Sequence, residues 1–133
     1  MMRDLAAVFK ALADETRLEM LALLSNHGEL CVCDLQQVLG INQSKTSRHL
    51  QYLKHAGLLT DRRAGLWVHY RIAADLDAER KAVVAVLRRL LANGRATALE
   101  ERFARWARRK ADHGPPCKTR PVPKTRAAKE ARR

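Results

Sequence analysis

Two groups of side chains in the middle of the chain have types and spacings that suit chemistry. Cys31 and Cys33 lie two residues apart in the segment ELCVCDLQ, and thiolates are the protein ligands that soft ions prefer. Further along, polar side chains recur at helical spacing, at Ser44, Ser47, Arg48 and Gln51. Hydroxyl, guanidinium and amide groups in one stripe can hydrogen-bond base edges and phosphates. The chain thus pairs a candidate site for a soft ion with a candidate surface for nucleic acid.

Two short helices joined by a turn must position both groups. On the first helix the apolar face consists of Leu35, Val38 and Leu39. Gly40 suits the end of that helix, and Asn42 suits the N-cap of the second. Opposite the polar stripe, the second helix has an inward face made of Thr46, Leu50 and Leu53. This pattern is typical of a helix-turn-helix, whose second helix enters the major groove of DNA.

In the rest of the chain, segments with the hydrophobic period of a helix flank one segment with the alternating period of a strand. Apolar stripes predict helices over 3–12 and 15–25, and two more over 75–92 and 96–111. After Gly57 the pattern alternates, and LLTDRRAGLWVHYRI predicts a hairpin with Arg62 and Arg63 near its tip. A hairpin directly after a reading helix is a wing, whose basic residues can reach phosphates or the minor groove. The predicted fold is mostly α with a small β-hairpin, a winged helix-turn-helix.

The helix predicted over 75–92 has more apolar surface than a small core requires. Its apolar residues are Leu76, Val83, Val84, Leu87, Leu90 and Leu91. Together with Leu5 and Val8 of the first helix, this face predicts a two-fold homodimer. Two reading helices in such a dimer would address an inverted repeat in double-stranded DNA.

Composition indicates one main domain and a polyanionic partner. The 133 residues include 26 Lys and Arg against 14 Asp and Glu, a net charge of +12, which favours nucleic acid or an anionic surface. No apolar run reaches the roughly 18 residues of a membrane span, and the start of the chain lacks the apolar stretch of a signal peptide. We therefore expect a cytoplasmic protein with no membrane partner. Three cysteines in that setting indicate free thiols or a metal site.

Three regions follow from these patterns. Residues 1–95 are predicted to form a winged helix-turn-helix domain for DNA binding and dimerisation, and residues 96–112 a helical extension. The extension either lengthens the dimer interface or covers Phe103 and Trp106. Residues 113–133 hold all four prolines and seven Lys or Arg against one Glu, which predicts a disordered basic tail. We find no Gly-rich phosphate loop, paired catalytic carboxylates or histidine cluster, so an enzyme is not expected.

Four segments, ALADETRLEMLALL, ELCVCDLQ, QSKTSRHLQYLKHAGLL and RRAGLWVHYRI, resemble the ArsR family of winged-helix repressors. The resemblance covers most of residues 5–92 and implies a repressor that releases DNA when it binds a metal or metalloid. In arsenic-responsive members ELCVCDLC supplies three thiolates to arsenite or antimonite. Cys31 and Cys33 match that motif, and Gln36 stands in place of the third cysteine. Zinc-type members place Asp and His ligands on the last helix of the core; Asp75 and Asp77 lie in that region, but no histidine lies between residues 70 and 112, so that site is not expected.

The resemblance implies that arsenite, antimonite or another thiophilic ion is the inducer, with no cofactor needed for folding. We predict Cys31 and Cys33 as ligands, with Cys117 as a third thiolate from a flexible tail of the same or the partner subunit. Side chains two apart cannot face the same way on a regular helix, so Cys31 must lie before the helix or the first turn must unwind. A helix N-terminus is expected to lower a thiol pKa. Alternatively, the pair consists of small buried hydrophobic residues and Cys117 is a stray tail thiol.

The predicted DNA-contacting residues are Gln43, Ser44, Lys45, Ser47, Arg48, His49, Gln51, Arg62 and Arg63. His49 lies beside the inward face and is interpreted as a packed or phosphate-contacting residue, since lone histidines rarely bind metal. Two alternatives keep a nucleic-acid partner; the first changes only the signal, and the second is a nucleic-acid-compacting or RNA-binding protein. One is a redox switch between Cys31 and Cys33, which a two-residue loop would strain. The other is sequence-independent binding driven by the tail, with a steep dependence on salt.

Overall fold

The computed structural model of the protein describes residues 2–113, without the side chain of His113. In that range the elements are α1 (Met2–Leu12), α2 (Glu15–His27), β1 (Leu30–Cys31), α3 (Val32–Leu39), α4 (Gln43–His55), β2 (Leu59–Ala64), β3 (Trp67–Ile72), α5 (Ala78–Leu91) and α6 (Thr97–His113). This order is that of a winged helix-turn-helix with one added C-terminal helix, as predicted. The predicted tail lies outside the described residues except for His113, which ends α6.

Local capping explains where several helices begin and end. The Asn42 side chain accepts a hydrogen bond from the Lys45 backbone N–H and starts α4, and Gly40 ends α3 in the left-handed conformation, both as predicted. The predicted start of the fifth helix at residue 75 is wrong. Asp77 accepts the Arg80 backbone N–H at 2.9 Å, so α5 begins at the residue after this N-cap.

The sheet is antiparallel with strand order β1-β3-β2. The predicted hairpin pairs Leu59 with Ile72 at its base and Ala64 with Trp67 at its tip. Gly65 takes a φ of 65° in the turn between them. The sequence did not indicate β1, which adds a third strand and sets Cys31 opposite His69. The cysteine segment is therefore hydrogen-bonded to the wing.

The core lies between α2, α3, α4 and the sheet. The inward face predicted for α4 is fully buried, with Thr46, Leu50 and Leu53 all at 0% exposure, and the Thr46 hydroxyl donates to the Asn42 carbonyl oxygen. Helix α6 packs against α3, where Trp106 is 2% exposed. The extension therefore buries its own Trp106 side chain against α3 of the same chain. Among the helices of residues 2–113, none combines the length and apolar character required to cross a membrane.

The C-terminal end of α4 is joined to the start of α5 by one side chain. Arg80 donates from Nε to the Ala56 carbonyl oxygen at 2.7 Å and from a terminal nitrogen to Asp77 Oδ2 at 2.6 Å. Gly57 follows with a φ of 81°, and a Cβ at this position would lie 2.8 Å from Arg80 Nε. The positive φ favours glycine at this position, and a Cβ here would also force the Arg80 guanidinium to shift.

Candidate DNA-reading face and cysteine site

Helix α4 presents an exposed polar face on the side opposite its buried residues. Ser44, Lys45 and Arg48 are exposed, and Ser47 between them is half-buried. All four lie in the N-terminal half of α4, next to the Asn42 cap. A helix N-terminus presents backbone N–H groups and a partial positive charge. This half of α4 can therefore bind phosphate and reach base edges in a groove.

Two other predicted DNA-contacting residues on α4 are half-buried. Gln51 donates to the Tyr70 hydroxyl at 2.9 Å and so ties α4 to β3. The Gln43 side chain is half-buried, and its Oε1 has no hydrogen-bond partner in the part of the chain that the structure describes. These two residues lie at the margins of the exposed face.

His49 lies inside a cluster that joins α1, α2 and α4. Its Nδ1 is 3.1 Å from an Arg17 guanidinium nitrogen, and Arg17 donates from Nε to the Ala11 carbonyl oxygen at 2.7 Å. The same guanidinium lies 4.1 Å from the centre of the Tyr52 ring. Burial, with smaller effects from Arg17 and other cations, lowers the pKa of His49. Its contact with Arg17 agrees with the interpretation of His49 as a packed residue.

The two wing arginines face opposite sides of the hairpin. Arg62 makes a bidentate ion pair with Glu29, with contacts of 2.9 and 2.6 Å, and hydrogen bonding from Arg62 lowers the pKa of Glu29. Arg63 is half-buried, and its two terminal nitrogens are buried without a hydrogen-bond partner among residues 2–113. The turn itself exposes Leu66. The basic residues therefore lie on the arm of the wing and the apolar Leu66 at its tip.

Cys31 and Cys33 lie on either side of the start of α3. Cys31 is the N-cap, with an extended backbone (φ −85°, ψ 163°), and Cys33 is in the first helical turn. Both are buried, at 9% and 4% exposure, and the Cys31 thiol is free. Cys31 thus meets one of the two conditions for a shared ion, because it lies before the helix.

The predicted lowering of a thiol pKa at this helix terminus is wrong for Cys31. Burial raises the pKa of the Cys31 thiol, and the negative charge of Asp34 raises it further. Desolvation and a neighbouring carboxylate both disfavour the thiolate, and here they outweigh the backbone N–H of Asp34. An ion that binds Cys31 must displace the thiol proton from a buried group.

Asp34 is the residue in this region that sequence reasoning missed. It is 6% exposed and accepts three hydrogen bonds, from the Cys31 backbone N–H at 3.0 Å, Trp106 Nε1 at 3.0 Å and Lys110 Nζ at 2.7 Å. Burial opposes its ionisation, yet hydrogen bonds from Lys110, Cys31 and Trp106 hold the pKa of Asp34 below its ordinary value. An acidic residue three positions after an N-cap is the local signal that indicates such a role.

A cleft of about 490 Å³ lies beside this cluster, between α6 and the β1–α3 segment. Leu30, Asp34, Phe103, Trp106 and Lys110 contribute to its walls. Within residues 2–113, no three His, Cys, Asp or Glu side chains are grouped so that they could hold a metal ion. Cys117, the predicted third ligand, lies outside the described residues. A three-thiolate site would therefore need a donor from beyond α6.

An exposed apolar face lies on α1 and α5, where the sequence predicts a dimer interface. Exposed apolar side chains on it include Leu5, Phe9, Val86 and Leu90, and a shallow apolar groove of about 300 Å³ runs between the two helices. The assignment of Val8 to this face is wrong, because Val8 is 2% exposed and belongs to the core. Phe9, one residue later, takes its place on the surface.

The helix-turn-helix, the three-stranded wing and the exposed polar half of α4 define a winged helix-turn-helix transcriptional regulator. Residues 14–61 match the model of the bacterial regulatory protein family arsR. The chain is 56% identical over 71 residues to the arsenical resistance operon repressor of Escherichia coli K12, covering 53% of this chain and 61% of that one. The chain thus spans about three fifths of the length of the curated relatives that it matches first.

Two solved structures resemble this one at comparable levels. One is the homodimeric winged helix-turn-helix DNA-binding domain Mb0332 of Mycobacterium bovis, described as a possible ArsR-family regulator, with a TM-score of 0.58 and 34% identity over 71% of this chain and 82% of that one. The other is the antimony-specific transcriptional repressor AntR, with a TM-score of 0.55 and 32% identity over 68% of this chain and 78% of that one. The chain belongs to the ArsR family, a family of transcriptional regulators and not of enzymes.

Proposed function

We propose that this chain is a DNA-binding repressor that leaves its operator when arsenite, antimonite or another thiophilic ion binds Cys31 and Cys33. The observation that carries the proposal is the position of the cysteine pair at the start of α3, which packs against α4. A change at the start of α3 is thereby passed to the helix that presents the reading face. The arsenical and antimony specificities in the names of two relatives support the choice of ion.

The exposed half of α4 is proposed to read the operator. Arg48 supplies a guanidinium that suits guanine, while Ser44 and Lys45 supply phosphate contacts near the helix N-terminus. Ser47 and Gln43 flank these residues. Arg62 and Arg63 are proposed to contact the backbone from the wing, Arg62 by exchanging Glu29 for a phosphate oxygen and Arg63 by turning its buried terminal nitrogens outward.

Cys117 is proposed as the third thiolate. Helix α6 returns the chain to α3, since Lys110 Nζ lies 2.7 Å from Asp34 Oδ1, and Cys117 follows Lys110 by seven residues. Residues 111–113 still belong to α6, so only the four residues 114–117 can extend, over up to roughly 14 Å, and the proposal places the Cys117 thiol within that reach of Cys31. Closing such a short loop has a modest entropic cost. A ligand from the partner subunit's tail would satisfy the same chemistry.

Two copies are proposed to pair through the apolar groove between α1 and α5. Phe9, Val86 and Leu90 leave a continuous apolar surface there in the single chain, and the Mycobacterium bovis domain with the same fold is homodimeric. A two-fold pair presents two copies of α4 to an inverted repeat. A monomer in sedimentation at micromolar concentration that still binds operator as one copy would contradict this part of the proposal.

Operator release in a titration tests the proposal. An operator duplex is first selected from random DNA with the wild-type protein, and binding is followed by fluorescence anisotropy under reducing conditions as arsenite is added. We expect the Cys31→Ser, Cys33→Ser double variant to bind the duplex as the wild type does and to ignore arsenite. Cys117→Ser should need more arsenite and release only in part. The proposal is wrong if the double variant dissociates from the operator at the same arsenite concentration as the wild type.

A further inference from the structure

Helix α6 is attached to the start of α3 through one buried carboxylate. Asp34 Oδ1 accepts from both Trp106 Nε1 and Lys110 Nζ, while Oδ2 accepts from the Cys31 backbone N–H. One side chain thus links the cysteine that precedes α3 to a helix that begins more than sixty residues later. Neither the exposed half of α4 nor the dimer groove includes these residues.

Bringing two sulfurs from Cys31 and Cys33 onto one ion has a geometric cost at this point. One cysteine has extended backbone and the other is helical, so the first turn of α3 must rotate or unwind for both to face the ion. The Cys31 N–H to Asp34 hydrogen bond spans that turn and must break in such a movement. Trp106 and Lys110 hold Asp34 in place from outside the turn, and they therefore oppose the movement.

We propose that α6, through Trp106 and Lys110 on Asp34, sets the ion concentration at which this regulator releases DNA. The inference rests on the proposed function, and it makes the three side chains positioning residues that need not touch the ion. With the restraint present, more ion is needed to rotate the first turn of α3. With the restraint removed and both cysteines reduced, Cys31 and Cys33 bind the ion at a lower concentration.

A purely electrostatic role for Lys110 predicts the opposite sign. The positive charge of Lys110 favours the Cys31 thiolate, so its loss alone would weaken ion binding and raise the concentration needed. The direction of the change in a Lys110 variant therefore separates a restraint from a charge effect.

Lys110→Met is the test variant, because it keeps an unbranched apolar stem and removes the ammonium. Lys110 is partly exposed, which protects the fold, and Arg108→Met on the exposed side of the same helix is the matched control. In the arsenite titration we expect half-release of Lys110→Met at about a three- to tenfold lower arsenite concentration, the scale of one partly exposed charged hydrogen bond. The control should release at the wild-type concentration. An unchanged or higher concentration for Lys110→Met overturns the inference.

A second variant and a second readout separate this inference from the proposed function. Trp106→Phe removes the indole N–H while keeping an aromatic ring, and it should shift half-release in the same direction. In the absence of any ion, amide hydrogen exchange of a peptide covering residues 30–35 should be faster in both variants, with α4 unchanged. If arsenite does not release the wild-type protein from its operator, the proposed function fails. If the wild type responds but neither variant shifts release or exchange, only this inference fails.

Discussion

The two helices of the helix-turn-helix begin in similar ways and in opposite surroundings. Each has an N-cap with extended backbone, Cys31 for α3 and Asn42 for α4. At α3 the first turn is buried, and Asp34 within it accepts three hydrogen bonds from the chain. At α4 the first turn is open, with Ser44 and Lys45 exposed.

The two helix starts therefore differ in how much they must rearrange before they can bind a ligand. The start of α4 requires no rearrangement to meet a phosphate, because its donors already face outward. The start of α3 has its hydrogen bonds satisfied internally, so any ligand there competes with Asp34, Trp106 and Lys110. Under the proposed function, an α4 face that is ready to bind beside a restrained cysteine segment suits a repressor whose default state is bound to DNA.

Removing the buried carboxylate should have the largest effect. Asp34→Ala leaves the Cys31 and Trp106 donors buried without an acceptor, and we expect the free energy of unfolding to fall by about 3–4 kcal/mol. Urea denaturation followed by circular dichroism measures it. Asp34→Asn, which keeps one acceptor oxygen, is the control and should lose less. An alanine variant as stable as the wild type would mean that the α3 terminus is not restrained by this residue.

Removing the exposed Arg48 guanidinium should weaken DNA binding without changing the free energy of unfolding. Arg48→Ala is expected to lower specific operator affinity by about 1–3 kcal/mol if the side chain contacts a base in bidentate fashion. Its free energy of unfolding should stay within about 0.5 kcal/mol of the wild type. Anisotropy with specific and scrambled duplexes measures the first effect, and Arg108→Ala serves as the charge-matched control. Equal losses on both duplexes would assign Arg48 to phosphate contact.

The smallest effect concerns His49, which lies on the side of α4 that contacts Arg17 of α2. Its pKa is lowered by burial, so the unfolded chain takes up the proton first as pH falls below the ordinary value near 6.5. The stability associated with neutral His49 is therefore complete above that pH and declines as pH falls toward the lowered pKa. Urea denaturation at pH 7 and pH 5 should show a decline that is smaller in His49→Gln. An identical decline in both proteins would contradict the burial of His49.

Local signals predicted most of the fold. The caps at Asn42 and Gly40, the buried face of α4 and the hairpin after Gly57 all follow from spacing over a few residues, and the structure confirms each of them. The exposed polar face of α4 was predicted for the same reason, since helical periodicity alone places Arg48 on the surface and Leu50 in the core.

Contacts between distant residues were not predictable in this way. Asp34 and Trp106 are 72 residues apart in the chain, and no periodicity connects them. The pKa of Cys31 was predicted in the wrong direction because a rule about helix termini takes no account of burial. β1 is two residues long, too short for an alternating pattern to register.

Arg80 has a consequence for how a pair of these chains would measure DNA. It ties the last carbonyl region of the reading helix to the first turn of α5, and α5 carries much of the proposed pairing surface. In the proposed two-fold pair, a change in the tilt of α5 would therefore be passed through Arg80 to α4. The same guanidinium would then link the geometry of the pairing surface to the spacing between the half-sites that the pair can bind.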